Sequence, residues 1–395
     1  MNDALLRAWW SHRQGLDGQL VGASPATILE RSGWARSVGG VGPYLTLHAR
    51  AGISREAADD AVANLDIHEL PAARGCTYVV PARDFALALA VGVPFRDAEQ
   101  NVARKLGVSD KEVDRLCEAV VRAVSKSPLA PEDIRDAVGA AARSLGEAGK
   151  TKGVSSTLPI ALGKLQADGA IRRVSVNGRL DQQRYKYARW SNNPLKKFKL
   201  SAGAAQTELA RHFFSWIGPA KLTEFQWFSG LGVKAAQAAI APLKLLPIEA
   251  GDERLLHAAD FDAWRSFHAP ATPQYTLVSS LDAIATLRRD FKSLLDSKDH
   301  KEPVPSEKGQ RAGGSLIDMP AHAILDRGRV VGLWEFDAAT QSIAWMSYIK
   351  KDAALTHAVS VTEQYVREQL GDARSFSLDS PRSREPRIKA LRAAA

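Results

Sequence analysis

Positive side chains concentrated in one stretch are the residues of this sequence best suited to chemistry. Residues 150–200 hold twelve Lys and Arg and only two acidic residues, Asp168 and Asp181. The whole chain of 395 residues has a net charge of +9, so the remainder is close to neutral. A single basic patch is typical of proteins that track the phosphates of a nucleic acid. The alternative is a solvated basic face without a partner, because many charge runs are only that.

The elements predicted around this patch match a DNA-reading motif. Residues 155–165 predict a helix that begins at Ser and Thr caps and is followed by a glycine stop. Two strands are predicted next, at 170–176 and 179–187, and the Asn-Gly pair at 177–178 is the strongest short-range hairpin signal. A helix followed directly by a two-stranded wing is the core of a winged helix, a relative of helix-turn-helix DNA readers.

We therefore predict that this segment binds double-stranded DNA. Contacts with phosphates would act on all sequences alike and give a strong salt dependence. Tyr185 lies among the cations and could stack on a base or pack under the wing. The predicted DNA-binding residues are Lys150, Lys152, Lys164, Arg172, Arg173, Arg179, Arg184, Tyr185, Lys186 and Arg189.

Three units with one order of elements are predicted along the first part of the chain, at residues 1–107, 108–200 and 201–274. In each unit a set of helices precedes a hairpin. The predicted hairpins lie at 67–80, 170–187 and 246–257. The predicted connections are a pair of helices at 84–89 and 95–106 and a flexible loop at 146–153.

Residues 275–395 have a different order of predicted elements and indicate a C-terminal domain rich in strands. The predicted elements are a long mobile loop at 299–314, strands at 321–325, 330–336 and 342–346, a helix at 353–369 and a basic tail at 381–392. The expected fold class is therefore α+β: three tandem winged-helix units followed by a small β-rich, barrel-like C-terminal domain. Each domain is expected to have its own core.

The composition is that of an ordinary globular protein, with 45% hydrophobic and 25% charged residues. Cys76 and Cys117 are too few for a disulfide framework, and the His and Cys residues are scattered singly, so we predict no metal and no organic cofactor. The first residues do not resemble a signal peptide, and no apolar run approaches membrane-spanning length. We expect a cytoplasmic monomer without a membrane or protein partner.

The order of these features resembles the winged-helix DNA glycosylase family typified by AlkZ and YcaQ, which acts on alkylated bases and unhooks interstrand crosslinks. The resemblance runs through most of the chain in the family's order, although no single motif is very specific. The matching stretches are residues 42–50 (GPYLTLHAR), 74–85 (RGCTYVVPARDF), 216–220 (WIGPA) and 326–334 (DRGRVVGLW). The family implies three tandem winged helices and a small β-barrel curved around a duplex.

The resemblance also implies a reaction. The family uses a Gln-x-Gln or Gln-x-Asp pair just before the Pro-Tyr-Leu helix to position water at C1′ and to stabilise oxocarbenium charge. Counting back from Pro43 places this pair on Arg36 and Val38, and neither side chain can accept a hydrogen bond from water. Glu69 with His68 could face the same cleft and supply a substitute acceptor, and Arg36 could contact phosphate. An ordinary surface or turn role is the alternative for Glu69 and His68, and capping of a neighbouring helix is the alternative for Arg36.

Three other polar residues could also serve as acceptors. Gln14 and Asp17 follow the first predicted helix, and His48 lies on the helix that starts near Pro43. Each is more simply a packed, turn or surface residue. The glycine-rich stretch at 39–42 predicts a flexible loop and not a phosphate cradle, because no Lys-Ser or Lys-Thr pair follows it.

The sequence as a whole predicts a winged-helix protein that binds double-stranded DNA and acts in DNA repair or damage recognition. The first alternative is an active monofunctional DNA glycosylase that excises N-alkylated purines with substituted catalytic residues. The second is a transcriptional regulator that reads an operator through one winged helix. Release of an alkylated base would favour the enzyme, and a sequence-specific footprint would favour the regulator.

Overall fold

The computed structural model describes residues 3–182, 184–306 and 309–394. Its first part has five helices and three strands. They are α1 (Asp3–Arg13), α2 (Pro25–Ser32), β1 (Ala35–Arg36), α3 (Gly42–Ala51), α4 (Arg55–Ala63), β2 (Ile67–Pro71), β3 (Thr77–Pro81) and α5 (Phe85–Lys105). Ser24 and Ser54 cap α2 and α4 by accepting bonds from backbone N–H groups, and left-handed Gly52 ends α3. Strand β3 lies between β1 and β2, antiparallel to both.

Helix α5 connects this part to the next and replaces the two predicted helices at 84–89 and 95–106. It continues through Pro94 without a break. A proline inside a helix removes one backbone hydrogen bond, and neighbouring elements must compensate. Here α5 packs against α9 (Leu158–Ala167), α10 (Ala202–Ile217) and β2, which hold it on several sides.

The second predicted unit, residues 108–200, contains the basic patch and is called the basic segment. It has five helices and strands besides α9. They are α6 (Asp110–Ala123), α7 (Pro131–Val138), α8 (Gly146–Thr151), β4 (Ile171–Ser175) and β5 (Tyr185–Arg189). Helix α8 lies within the stretch 146–153 that was predicted as a loop. The predicted Ser/Thr cap of α9 is also wrong, since the Thr157 hydroxyl accepts its bond from the Arg143 N–H instead.

The hairpin predicted at 170–187, called the basic hairpin, is present as β4 and β5, but its second strand begins later than predicted. β4 and β5 pair antiparallel, with Ser175 opposite Tyr185, and the described residues between them, 176–182 and 184, form a loop. The loop is held by the first part of the chain, because Leu180 is buried and its N–H donates to Tyr44 Oη at 2.8 Å. Gln183, which falls in the predicted strand, lies outside the described residues.

The third segment repeats the pattern of the first. Its elements after α10 are β6 (Ala220–Lys221), α11 (Leu222–Ser229), α12 (Val233–Ile240), β7 (Leu245–Pro247), β8 (Arg254–His257) and α13 (Phe261–Ser266). Strand β8 lies between β6 and β7, as β3 lies between β1 and β2. The predicted helices and hairpin of this segment are therefore present.

The C-terminal segment has an open antiparallel sheet in the order β14-β13-β12-β9. Its elements are β9 (Tyr275–Val278), α14 (Ala283–Thr286), α15 (Phe291–Leu294), β10 (Pro303–Ser306), β11 (Gly309–Ala312), β12 (His322–Asp326), β13 (Arg329–Asp337), β14 (Ser342–Ser347), α16 (Ala353–Tyr365) and α17 (Pro381–Ala393). Within the described ranges its two edge strands do not pair with each other. The barrel-like expectation is therefore corrected to an open sheet.

Two further stretches of this segment differ from prediction. The expected mobile loop at 299–314 contains the paired strands β10 and β11, although residues 307 and 308 lie outside the described residues. The expected basic tail is helix α17, which packs on β13 and β14. Arg384 of α17 is fully buried and donates to Asp372 Oδ1 at 2.6 Å, so its charge is used inside the fold.

The apolar cores do not follow the segments one by one. The basic segment has a core of its own, built from residues between Ala103 and Tyr187. The first, third and C-terminal segments share one continuous core. A second core joins α2, α3 and α4 to the C-terminal sheet and to α16. A buried ion pair of Arg50 with Asp282 (2.7 Å) also fixes α3 to the C-terminal segment.

Candidate nucleic-acid interface and active site

The predicted DNA-binding residues divide into two groups by exposure. Half of them face solvent. These are Lys150 and Lys152 at the end of α8, and Arg184, Lys186 and Arg189 on or beside β5. Lys150 pairs with Glu147 at 2.6 Å, an exposed pair that leaves its charge largely screened. The remaining exposed cations give the basic hairpin a positive outer surface.

The other group is partly buried and engaged within the protein. Lys164 pairs with Asp168 at 2.8 Å, and Arg179 makes two bonds to Asp181. The remaining members pack on aromatic rings. The guanidinium of Arg172 lies 5.7 Å from the Trp190 ring, and that of Arg173 lies 5.0 Å from the Tyr185 ring. These side chains position the hairpin against the first segment.

Glu69 is the polar group most distinctly placed under this hairpin. It lies in β2, is only 8% exposed, and its Oε1 accepts a hydrogen bond from Ser37 Oγ at 2.5 Å and from Tyr185 Oη at 3.4 Å. Burial raises the pKa of Glu69, while Ser37, Arg173 and Tyr185 oppose that shift. Glu69 and Tyr185, predicted for different roles, are therefore brought together.

The Glu69 carboxyl group lines a cavity between the first segment and the basic hairpin. The cavity has a volume of about 330 Å³ and is lined among others by Asp59, His68, Glu69, Arg172, Arg179 and Tyr185. A smaller cavity of about 150 Å³ on the side of α5 and α9 is also lined by Glu69 and Arg173. A buried carboxylate beside an arginine can accept a hydrogen bond from water or stabilise developing positive charge.

The His68 ring does not contact the Glu69 carboxyl group, although His68 also lines the larger cavity. Successive side chains of a strand point to opposite faces, and the His68 ring packs at 5.4 Å from Trp190 and 6.1 Å from Phe85. Burial, followed by the charge of Arg172, lowers the pKa of His68 to about 3, and the backbone of Arg173 opposes this only weakly. The ring is neutral at pH 7 and, within the described residues, its nitrogens lack hydrogen-bond partners of good geometry.

Arg36 and Val38 do not converge on Glu69 either. Arg36 stacks over Tyr78 at 5.3 Å on the opposite face of the small sheet, and the Val38 carbonyl accepts a bond from the Ser377 N–H. Ser37, between them, is the residue that reaches Glu69. The signal that could have identified it is the alternation of strand side chains, which places Ser37 and Glu69 on one face.

The three other candidate acceptors have structural roles. Gln14 is fully buried and donates to the Trp216 carbonyl at 2.7 Å, while Asp17 pairs with His12. His48 stacks on Tyr365 with ring centroids 3.7 Å apart. The glycine loop at 39–42 is packed and not open, because the Val41 N–H donates to the Arg374 carbonyl at 3.0 Å.

Neither a metal site nor a membrane span is indicated by the described residues. Over ranges 3–182, 184–306 and 309–394 no three His, Cys, Asp or Glu residues come together as ligands. Over the same ranges, no helix has the length and apolar character needed to cross a bilayer.

Comparison with known proteins identifies the family. A model described as DNA glycosylase AlkZ-like matches residues 41–376. The chain belongs to the AlkZ-like DNA glycosylase family. The solved structure of Streptomyces sahachiroi DNA glycosylase AlkZ is similar, with a TM-score of 0.68 and 15% identity over 94% of this chain and 98% of that one. No curated protein gives a significant match.

These comparisons confirm the resemblance inferred from sequence. The likeness to AlkZ, at 15% identity, shows a shared fold. Membership in the AlkZ-like family indicates a DNA substrate and suggests a role in DNA binding and repair. The matched range begins at residue 41, directly after the stretch that contains Arg36, Ser37 and Val38.

Proposed function

We propose that this AlkZ-like protein binds double-stranded DNA through its basic hairpin and acts in DNA repair or damage recognition. The observation that carries the proposal is the exposure of Arg184, Lys186 and Arg189 on one hairpin, in a chain that belongs to a DNA glycosylase family. Such cations would contact phosphates, which fix the position of a protein on the duplex without reading its sequence.

The repeated order of elements supports three winged-helix units. A helix, a short strand, further helices and two strands occur as α2-β1-α3-α4-β2-β3 and again as α10-β6-α11-α12-β7-β8. In the basic segment the short first strand is reduced to Leu129, which bridges to Tyr187 of β5. The helix before each hairpin is the recognition helix of a winged helix, which makes α9 the candidate for the basic segment.

The binding test neutralises exposed cations only, because Arg172 and Arg173 also hold the hairpin in place. We expect an Arg184→Ala/Lys186→Ala protein to bind every duplex more weakly than the wild type. Its slope of log affinity against log salt should fall by about two, since each lost phosphate contact removes about 0.9. Fluorescence anisotropy with a labelled duplex at several salt concentrations measures both quantities.

A Lys350→Ala/Lys389→Ala protein is the matched control, because both lysines are exposed and lie outside the basic segment. It loses the same net charge and should keep the wild-type slope. Equal slopes in the two double variants would show that binding depends on overall charge, and the hairpin assignment would then be wrong.

Glycosylase activity is a second candidate, and the position of Glu69 favours it. N-alkylation makes a purine a good leaving group, so the enzyme needs mainly an acceptor that positions water and stabilises oxocarbenium charge. Glu69 is a buried carboxyl group, it lines a cavity beneath the basic hairpin, and its partner Ser37 lies in the stretch where the family carries its pair. Glu69 is therefore the proposed acceptor.

Release of N7-methylguanine from a duplex tests this candidate. We expect the wild type to release the base and Glu69→Gln to do so roughly a hundredfold more slowly, the usual effect of losing such a group. Glu56→Gln, which changes an exposed carboxylate of α4, is the matched control. No release by the wild type, with tight binding retained, would instead assign the protein to damage recognition.

A further inference from the structure

A cavity in the C-terminal segment carries a second site. It has a volume of about 530 Å³ and shares no lining residue with the Glu69 cavities in the parts of the chain that the structure describes. Much of its wall is apolar. These apolar lining residues include Leu281, Leu316, Ile317, Met319 and Phe376. Ligand pockets commonly combine such walls with a few fixed polar groups.

Glu335 and Arg387 are the fixed polar groups of this cavity. Glu335 lies in β13, is 1% exposed, and its Oε1 accepts a bond from Arg387 Nε at 2.9 Å. Its Oε2 has no hydrogen-bond partner among the described residues. Arg387 also donates from Nη2 to Asp379 at 3.0 Å, which leaves its Nη1 without a protein acceptor in the described ranges.

The unpaired Oε2 of Glu335 is a buried acceptor that a ligand in the cavity could satisfy. Leaving a buried charged acceptor without a hydrogen bond is costly, and such groups are rare in native proteins. Burial raises the pKa of Glu335 to about 7, against the opposing charge of Arg387. Near neutral pH the group can therefore accept a hydrogen bond or donate one. A donor and an acceptor thus lie side by side in an apolar cavity.

Positive charge lies at the edge of this cavity. Arg289 lines it and pairs with Asp318 at 2.7 Å, and its guanidinium stacks 3.7 Å over the Trp227 ring. Arg74 stacks 3.3 Å over the same ring. The side chain of Trp227 thus holds two guanidinium groups at the edge of the cavity, and Arg289 makes two hydrogen bonds to Asp318.

The cavity wall is continuous with the loop that precedes α3. Ser375 and Phe376 line the cavity, while the neighbouring Ser377 N–H donates to the Val38 carbonyl at 3.2 Å. A Cβ added at Gly40 would lie 2.2 Å from the Ser375 carbonyl oxygen, so the two backbones touch. Only this strip of backbone separates the cavity from the loop of the first segment.

We propose that this cavity receives a nucleobase turned out of the duplex, with Glu335 and Arg387 binding its hydrogen-bonding edge. The edge of a base presents a donor beside an acceptor, which complements an acceptor beside a donor, and apolar walls suit its flat faces. The inference rests on the proposed binding of double-stranded DNA and names the part of the substrate that the cavity takes.

The test blocks the cavity mouth without disturbing the core. Ser315→Trp places a large ring at an exposed position that lines the cavity, and Ser297→Trp makes the same change at an exposed position that does not. The probe is a duplex with a fluorescein at one end and a single mismatched 2-aminopurine inside. Anisotropy of fluorescein reports binding, and 2-aminopurine brightens when it leaves the base stack.

A second measurement uses a free base with the full-length protein. Equilibrium dialysis with 7-methylguanine should give binding to the wild type and to Ser297→Trp, loss of binding in Ser315→Trp, and affinity weaker by roughly tenfold or more in Glu335→Gln. Thermal unfolding of each variant verifies its folding. If Glu335→Gln fails to fold, Ser315→Trp still tests the cavity, because its substitution lies at an exposed position outside the core.

The outcomes separate this inference from the proposed function. Binding with a rise of 2-aminopurine fluorescence that Ser315→Trp abolishes and Ser297→Trp retains would support the cavity. Binding without that rise, or with an equal rise in Ser315→Trp, would overturn the cavity and leave DNA binding intact. Absence of duplex binding would refute the proposed function, and dialysis alone would then decide for or against the cavity.

Discussion

Glu69 and His68 show how neighbouring residues in one strand acquire different chemistry from their surroundings. The Glu69 carboxyl group is buried but retains polar partners in Ser37 and Tyr185. His68 points to the other face, between Trp190 and Phe85, and there the backbone of Arg173 offsets little of the cost of burying a positive charge. Burial disfavours the charged form of both residues, so it raises the pKa of Glu69 and lowers that of His68.

The low pKa of His68 predicts acid sensitivity of the fold. In the unfolded chain the imidazole binds a proton below pH 6.5, whereas in the fold it stays neutral down to about pH 3. The unfolded state therefore binds more protons in this window, and the free energy of unfolding falls as pH falls from about 6.5 towards 3. Between pH 7.5 and pH 5 the loss from His68 should be about 2 kcal/mol.

Urea unfolding of His68→Leu at both pH values measures this contribution. The variant should lose less stability on acidification than the wild type, by about 2 kcal/mol. His357→Leu, which replaces an exposed histidine of α16, is the matched control. A wild-type loss that His68→Leu leaves unchanged would mean that His68 is not the group that resists protonation.

At the scale of elements, the basic hairpin shows where local sequence signals succeed and where they stop. Asn177 Oδ1 accepts a bond from the Arg179 N–H, and Gly178 adopts a left-handed conformation, so the predicted turn does form. Strand pairing does not resume there, because Leu180 and Arg179 bind Tyr44 and the Leu370 carbonyl. The turn is readable from the chain, but its anchoring partners are distant in sequence.

The candidate site could also be predicted only where it depends on local sequence, and not where it depends on residues distant in sequence. Glu69 could be proposed from sequence because a carboxylate lies in a predicted strand near the cleft that the family resemblance implies. Ser37 and the cavity could not be predicted, since their proximity depends on the pairing of β1 with β3 and on the docking of the hairpin. Counting residues back from Pro43 places the pair on Arg36 and Val38. In the structure Arg36 packs on Tyr78 and the Val38 carbonyl accepts a bond from the Ser377 N–H.

Helix α17 is the element whose composition was most misleading, because a stretch rich in Arg and Lys forms a helix packed on the sheet. The cations of residues 381–392 predict a basic tail, yet Arg384 and Arg387 bind carboxylates inside the fold. We expect Arg384→Ala to lower the free energy of unfolding by about 2–3 kcal/mol, because it removes from a buried site a charged hydrogen bond to Asp372 and a bond to the Phe336 carbonyl.

Chemical denaturation of Arg384→Ala and Arg382→Ala measures this effect. Arg382 is exposed on the same helix, so its removal should change stability by less than about 0.5 kcal/mol. Equal losses in the two variants would indicate that α17 does not depend on the buried charge of Arg384.

At the scale of the whole molecule, apolar packing joins three of the four predicted units, while the basic segment also has a core of its own. The first, third and C-terminal segments share continuous apolar packing, and the Arg50–Asp282 pair reinforces it. The basic segment alone has a separate core. A segment that has its own core and fewer shared contacts can open without the rest of the protein unfolding.

This division predicts two unfolding events that different probes can resolve. Eight of the nine tryptophans lie outside the basic segment, and the ninth, Trp190, packs in the core of the other segments, whereas Cys117 is buried in the core of the basic segment. Burial raises the pKa of Cys117 to about 11, so the folded thiol should react slowly. In a Cys76→Ser/Trp190→Phe background, in which all remaining tryptophans lie outside the basic segment, we expect a thiol reagent to label Cys117 at urea concentrations below those that change tryptophan fluorescence.

Labelling in full denaturant gives the reference rate for the exposed thiol, and the native protein without urea gives the protected rate. Between them, Cys117 labelling follows the basic segment and tryptophan fluorescence follows the shared core. If the two curves coincide, the chain unfolds as one cooperative unit and the separate core is not an independent one. Separate curves would mean that the segment proposed to hold DNA can open on its own, while the segments that contain Glu69 and Glu335 remain folded.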